Sequence, residues 1–386
     1  MGQIMKELRK VKAYIAGKGI ICTDIVFSER IEGFQTNDKN EEIFIPQDAI
    51  VVPGFIDQHI HGAGGYDFMD GSVLGLETIS TTLAREGTVG YLATTVSASI
   101  EKTKQALYSV KEYKEMQKSC GAEILGVHLE GPFICHKYKG GMNELYILQP
   151  DVNILQDFIL ANENCVKIVT YAPELDSDRT FLKTLVDSNI VASAGHTNAT
   201  YEQIQEAVTQ GLKNVTHTYN AQSPLHHREI GVVGGALLID ELHTELIADE
   251  IHVSIPAMKV LLKNKPKDKV ILVTDSMRAK GIDEGISEIG GQKVIVKNGE
   301  ARLENGTLAG SVLKMNVAIK NLVKDLGVPL TDAIDYATIN PAKALGIEKD
   351  LGSIAVGKKA SFTVLDKEYN VVMTIVNGNI VYKKED

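Results

Sequence analysis

A chain of 386 residues with 44% hydrophobic and 23% charged side chains has the make-up of a folded soluble protein, too long for one ordinary domain. Its net charge of −10, without a long basic run, argues against nucleic acid and anionic membranes as partners, though a small anionic substrate needs only a local cation. No apolar run is long enough to span a bilayer, and the charged opening MGQIMKELRK is not read as a secretory leader; Lys6 stands where N-terminal acylation wants Ser or Thr.

The opening segment VKAYIAGKGIICTDIVFSERIEGFQ is rich in β-branched residues and glycine turns and reads as short strands. Next comes PGFIDQHIHGAGG, whose apolar run (around Gly54–His59) ends in His59 and His61. With the strand period of two, both imidazoles point to one side, where they can bind one metal ion or serve as ordinary turn residues. Further apolar runs follow around Tyr91–Thr95, Ile124–Glu130, Val166–Tyr171, Ile190–Gly195, Asn214–His217, Thr244–Asp249 and Val270–Asp275. Amphipathic stretches such as Ile100 to Gln117 and Ala199 to Gly211 separate them. Eight strand–helix units predict a parallel sheet, closed as a (β/α)₈ barrel or open as a doubly wound sheet. The charge run KNKPKDK (Lys263 to Lys269) reads as a solvated loop. The end of the chain returns to the texture of its start, with the turn signal NGN, so the two ends are expected to pair into one small domain. The four scattered cysteines fit free thiols in a reducing cytosol.

In a barrel the active site lies where the strands end. Strand one runs into His59 and His61, strand three into His128 and Glu130, strand five into His196, strand six into His217 and strand eight into Asp275. Each residue has a bland reading by itself: a histidine as a hydrogen-bonded turn residue, Asp275 as a helix N-cap, Glu130 as an exposed turn residue. Taken together they converge on one cleft, and such a set is a chelating shell for divalent ions.

The segments HLEGPF, AGHTNAT, THTYNA, SPLHHRE, ADEIH, LVTD and GTLAGS occur in that order across the middle of the chain. As a set they resemble the amidohydrolase superfamily and, within it, the N-acetylglucosamine-6-phosphate deacetylase family. The resemblance implies a TIM-like catalytic barrel over residues 54–346 and a small β-sandwich domain from residues 1–53 plus 347–386. It implies one or two divalent ions per subunit, with Glu130, His196 and His217 on the principal one and His59 and His61 on a second. Asp275 matches the family's general base and acid. Met142, Asn220, Ala221, Arg228 and His252 match substrate-binding positions, the last four around the sugar phosphate, and Leu308, Ala309, Gly310 and Ser311 a loop over the sugar. Zinc, iron, manganese and cobalt all suit such a shell. A cytoplasmic homodimer acting on a phosphorylated amino sugar is the expectation.

Four positions depart from the family pattern. Met142 stands where many relatives place a histidine that donates to the acetyl oxygen, and methionine cannot donate; the metal pair then acts alone, His136 reaches in, or the substrate differs. Glu250 replaces a common glycine beside His252, and Gln222 and Ile230 replace Met and Pro. Two other readings stay open here: an amidohydrolase for another N-acyl substrate, such as the galactosamine isomer, and an inactive barrel serving as a binding protein.

Overall fold

A computed structural model describes residues 5–36, 39–116, 120–163 and 165–385 of the chain. Met1 and Gly2, on which the acylation question falls, and Gln117 lie outside them.

Eight parallel strands form the central sheet: Phe55–Ile60, Thr88–Thr94, Glu123–Glu130, Val166–Tyr171, Val191–Ala194, Asn214–Val215, His243–Leu246 and Val270–Leu272. Each pairs with its neighbours in chain order, without the reversal that marks a doubly wound sheet. The first and last meet through the Asp275 N–H, which donates to the His59 carbonyl at 2.9 Å, and through a bridge between Ile60 and Ser276. The architecture is therefore a barrel. One α-helix follows each of the first seven strands, beginning with Val73–Ala84, and three follow the eighth: Met315–Lys324, Leu330–Ala337 and Ile339–Ala344. Strand one is buried along its whole length, as expected where side chains fill the barrel on one face and meet helices on the other. Local signals set the helix starts: Ser99 caps the helix Ile100–Glu115, and Thr200 with Gln203 forms a capping box on Tyr201–Thr209. No helix among the described residues is long and apolar enough to cross a membrane.

The chain ends build a second, eight-stranded sheet. Ile50–Pro53 joins its halves, parallel to Lys6–Ile15 and antiparallel to Phe362–Leu365. Phe27 and Phe362 lie on strands three places apart, about 14 Å on a flat sheet, yet their rings are 5.3 Å apart. The sheet thus folds over its own core, which includes Leu8, Ile25, Val51 and Ile375. Two features depart from expectation. A three-stranded meander (Gly285–Ile289, Gln292–Lys297, Glu300–Leu303) stands between strand eight and its helix, where no strands were assigned. In the expected solvated loop, Lys265 turns inward, is only 4% exposed and donates to the Ile239 carbonyl; burial lowers its pKa to about 8.

The loop after strand eight is pinned by a buried ion pair. Lys280 and Glu86 are 0% and 3% exposed on their side chains and 3.1 Å apart, and Glu86 also accepts the Met315 N–H. Lys280→Met should cost about 3–5 kcal/mol in denaturant unfolding, because it strands a buried carboxylate. A loss below about 1 kcal/mol, typical of exposed pairs, would contradict that account.

Candidate active site

The strands do not simply stop at the barrel mouth; the backbone breaks there. His196, His217 and Asp275 have φ of 48°, 29° and 48°, left-handed values that branch their side chains into the cleft. Asp275 is not a helix N-cap, since the next α-helix begins at Met315. His59, His61, Glu130, His196, His217 and Asp275 come together as the sequence led one to expect.

Glu130 is the hub of this cluster. Its Oε1 lies 3.0 Å from His196 Nε2, 2.9 Å from His217 Nε2 and 3.4 Å from His59 Nε2, and its Oε2 lies 3.3 Å from His61 Nε2. Asp275 Oδ1 lies 3.0 Å from His61 Nε2 and 3.5 Å from His59 Nε2. The far nitrogens are committed. Nδ1 of His196 bonds the Tyr138 carbonyl at 2.8 Å, that of His61 the Thr94 carbonyl at 3.2 Å and that of His59 the Glu245 carboxylate at 3.0 Å. An Nδ1–H donated outward leaves the lone pair on Nε2, so three imidazoles offer acceptors to one small volume. His196 and His217 Nε2 are only 3.2 Å apart, and His59 Nε2 is buried without a hydrogen-bond partner. Such a donor set fits a divalent cation. Two groups could hold one each: Glu130 with His196 and His217, and His59 with His61 and Asp275.

A third grouping, His59, His128 and Glu245, does not fit. Both nitrogens of His128 are occupied, by the Gln58 carbonyl and the Thr170 hydroxyl, and burial lowers its pKa to about 3, which keeps it neutral. In the real cluster the electrostatics favour positive charge. Burial works against charge on His59 and His61, but Glu130 and Asp275 outweigh it, raising His61 to about 10 and His59 well above its ordinary value, so each Nε2 carries either a proton or, in its place, a cation. Burial would likewise raise Asp275, yet the two histidines bring it down to about 2 and keep it a carboxylate.

The cluster forms the floor of a cavity of about 340 Å³, within the range of about 300–1,000 Å³ common for small-molecule sites. Its walls include Met142, Asn220, Ala221, His252, Leu308, Ala309 and Gly310. His252 donates from Nδ1 to Asp249 at 2.6 Å, and its side chain is 6% exposed. Gly140 also lines the wall, at φ 54°; a Cβ there would stand 3.3 Å from His196 Cε1.

The structure corrects other expectations. Arg228 does not line the cavity: it is exposed, with Nη1 2.7 Å from His227 Nε2. Ser311 lies beneath the cavity, its hydroxyl donating to the Thr274 carbonyl at 2.5 Å and its N–H to the Asp275 carbonyl. Exposed Glu250 and His136 are not part of the lining. Met142 fills its wall with a sulfur that accepts the Ser97 N–H at 3.3 Å, while the Ser97 hydroxyl, also at the cavity, is buried without a partner. The sequence reading missed Ser97, Lys137, Ile289 and Gly290 in the lining and Glu245 behind His59. The NG at Asn298–Gly299 and the GG at Gly290–Gly291 were the signals for the meander that carries Ile289 and Gly290.

A closed barrel whose mouth gathers four imidazoles and two carboxylates over a small-molecule cavity defines a hydrolase of the metal-dependent barrel class. The chain belongs to the amidohydrolase family, which matches residues 50–381. It is 42% identical over 345 residues to an N-acetylglucosamine-6-phosphate deacetylase of Bacillus subtilis (strain 168), covering 89% of this chain and 87% of that one. A solved N-acetylglucosamine-6-phosphate deacetylase from Pasteurella multocida superposes with a TM-score of 0.91 at 33% identity, over 98% of this chain and 99% of that one. A Mycobacterium smegmatis deacetylase, with one aspartate replaced by alanine and solved in complex with N-acetyl-D-glucosamine-6-phosphate, superposes at 0.90 with 26% identity, over 99% of this chain and 100% of that one.

Proposed function

We propose that this protein hydrolyses the N-acetyl amide of N-acetylglucosamine-6-phosphate to glucosamine-6-phosphate and acetate. The observation that carries this reading is the convergence of Asp275 and the Glu130–His196–His217 group on one cavity that also holds the aspartate-backed His252. The relatives' names support the same substrate.

A divalent ion held by Glu130, His196 and His217, with or without a second held by His59 and His61, would supply Lewis acidity that acidifies water and polarises a carbonyl. The chain's own groups do the rest. Asp275, a carboxylate at neutral pH, takes the proton of the attacking water as its oxygen bonds the acetyl carbon. As the C–N bond breaks, Asp275 returns that proton to the departing nitrogen, and the acetyl group leaves as acetate. Leu308, Ala309 and Gly310 cover the sugar. Ser97 lines the same wall as Met142, which has no donor to give, and its buried hydroxyl is without a partner.

His252, Asn220, Ala221 and Lys137 would hold the phosphate. Asn220 Nδ2 is buried without a partner. Burial disfavours charge on His252, but Asp249 more than offsets it and raises the pKa above the ordinary 6.5. The imidazolium is present below that raised pKa and lost above it, so KM for the phosphorylated sugar should climb as the pH turns alkaline. KM for plain N-acetylglucosamine should stay flat. A charge-assisted hydrogen bond contributes about 1.5–3 kcal/mol, or roughly 10–150-fold at 1.36 kcal/mol per decade. His252→Ala should therefore reduce the preference for the phosphorylated sugar by about that factor and spare the slow reaction of the plain one. Equal slowing of both substrates would make His252 a support of the fold rather than a phosphate ligand.

The same reading takes the protein to be a cytoplasmic homodimer. Four free cysteines suit a reducing compartment, and the exposed Leu225 and Leu238 suit burial against a second copy. Sedimentation at a single protomer mass would contradict the dimer.

A further inference from the structure

We propose that Glu245 is the positioning residue that creates the second cation position, by fixing His59 with its Nε2 lone pair turned into the cleft. The inference rests on reading the barrel mouth as a metal centre. Glu245 sits inside barrel strand seven (His243–Leu246) and is 0% exposed. A bare carboxylate is costly at such depth, and this one is matched by four N–H donors. Oε2 accepts from His59 Nδ1 at 3.0 Å and from the His217 backbone N–H at 3.1 Å. Oε1 accepts from Gln58 Nε2 at 2.8 Å and Asn214 Nδ2 at 3.1 Å. The carboxylate thus ties strands one, six and seven, and a single oxygen serves one member of each cation group.

The two members are served differently. His217 is held through its backbone, which any well-packed strand end could do. His59 is held through its ring, and that contact decides which nitrogen carries the proton. With Glu245 accepting from Nδ1–H, His59 Nε2 keeps its lone pair and stands without a hydrogen-bond partner, facing Glu130 Oε1 at 3.4 Å and Asp275 Oδ1 at 3.5 Å. Without that acceptor the proton can move to Nε2 and be donated to either carboxylate, and His59 ceases to be a ligand. The first group, Glu130 with His196 and His217, makes no use of the His59 ring. Glu245 should therefore govern the second ion selectively.

Two substitutions test this, both read by zinc content at defined free zinc, with a melting curve alongside. In Glu245→Gln the new amide NH₂ faces Gln58 and Asn214, whose own Oε1 and Oδ1 lack partners and can turn to accept from it. The remaining amide oxygen still accepts from His59, so this variant keeps the fold and removes only the charge. Wild type should hold two zinc ions per chain. Glu245→Gln keeps the acceptor but not the charge that makes His59 a more basic ligand, so it should bind the second about 10–100-fold more weakly, the usual effect of an altered partner behind a metal-bound histidine. Glu245→Ala should hold one ion, like His59→Ala, and the double variant should lose no more. If Glu245→Ala does not fold, the conservative variant decides alone. The proposal is overturned if Glu245→Gln binds the second ion as tightly as wild type, if wild type binds only one, or if both ions weaken together in a folded variant. A wild type that binds no zinc would sink the metal centre itself, a separate failure from a two-zinc wild type whose variants also keep both.

Discussion

Asp275→Asn should fold, keep any ion held by Glu130, His196 and His217, and lose about 10²–10⁴-fold in kcat, the usual contribution of one general acid–base group. Asparagine has nearly the same shape, so the packing at the end of strand eight survives. The left-handed backbone at this position, φ 48°, is one that asparagine also tolerates. The amide can neither accept a proton from water nor hand one to the departing nitrogen. Asp275 suits both tasks better than Glu130 does, because Glu130 has four imidazoles around its two oxygens, while Asp275 has two, both at Oδ1. The check is kcat on metal-replete variant with elemental analysis beside it. Residual activity above about a tenth of wild type would assign the proton transfer elsewhere.

Glu130→Gln and His196→Ala should each remove most of the bound metal, and activity with it, by about 10²–10³-fold or more if the ion supplies several kcal/mol. Glu130 carries the only carboxylate in the group with His196 and His217, and its Oε1 is within 3.0 Å of both Nε2 atoms. A glutamine there keeps one oxygen but loses the charge that offsets a divalent ion. His196→Ala leaves that charge and takes away a nitrogen whose partner, the Tyr138 carbonyl, already fixes its direction. Two different losses should thus give the same result. Unchanged metal content in both variants would contradict the assignment of this group.

The candidate cluster was legible because its members sit where regular strands end. Period two placed His59 with His61 on one side of a strand, and the barrel brought Glu130, His196, His217 and Asp275 to the same mouth. The same rule placed His128 beside Glu130, one pleat deeper, where both its nitrogens are spent on Gln58 and Thr170. Local sequence does not distinguish those depths. Glu245 was invisible for a related reason: it lies within a strand, and its charge is matched by Gln58, His59, Asn214 and His217, donors that are remote in sequence and adjacent only in the closed barrel. Arg228 lies outside this chain's own cavity, because the direction of the exposed loop around His226–Glu229 depends on packing that no short segment encodes. The meander was readable from its turn dipeptides, Gly290–Gly291 and Asn298–Gly299.

The central claim is that this barrel removes acetate from a phosphorylated amino sugar. Acetate release by metal-replete protein, measured in parallel on N-acetylglucosamine-6-phosphate, N-acetylgalactosamine-6-phosphate and N-acetylglucosamine, tests it most directly. The account predicts turnover of N-acetylglucosamine-6-phosphate with kcat/KM above that of the plain sugar by about 10²–10⁴-fold, the worth of two charge-assisted contacts. Faster turnover of the galactosamine isomer would move the assignment to that sugar, and equal rates on the phosphorylated and plain sugars, or no acetate from any of the three, would contradict it.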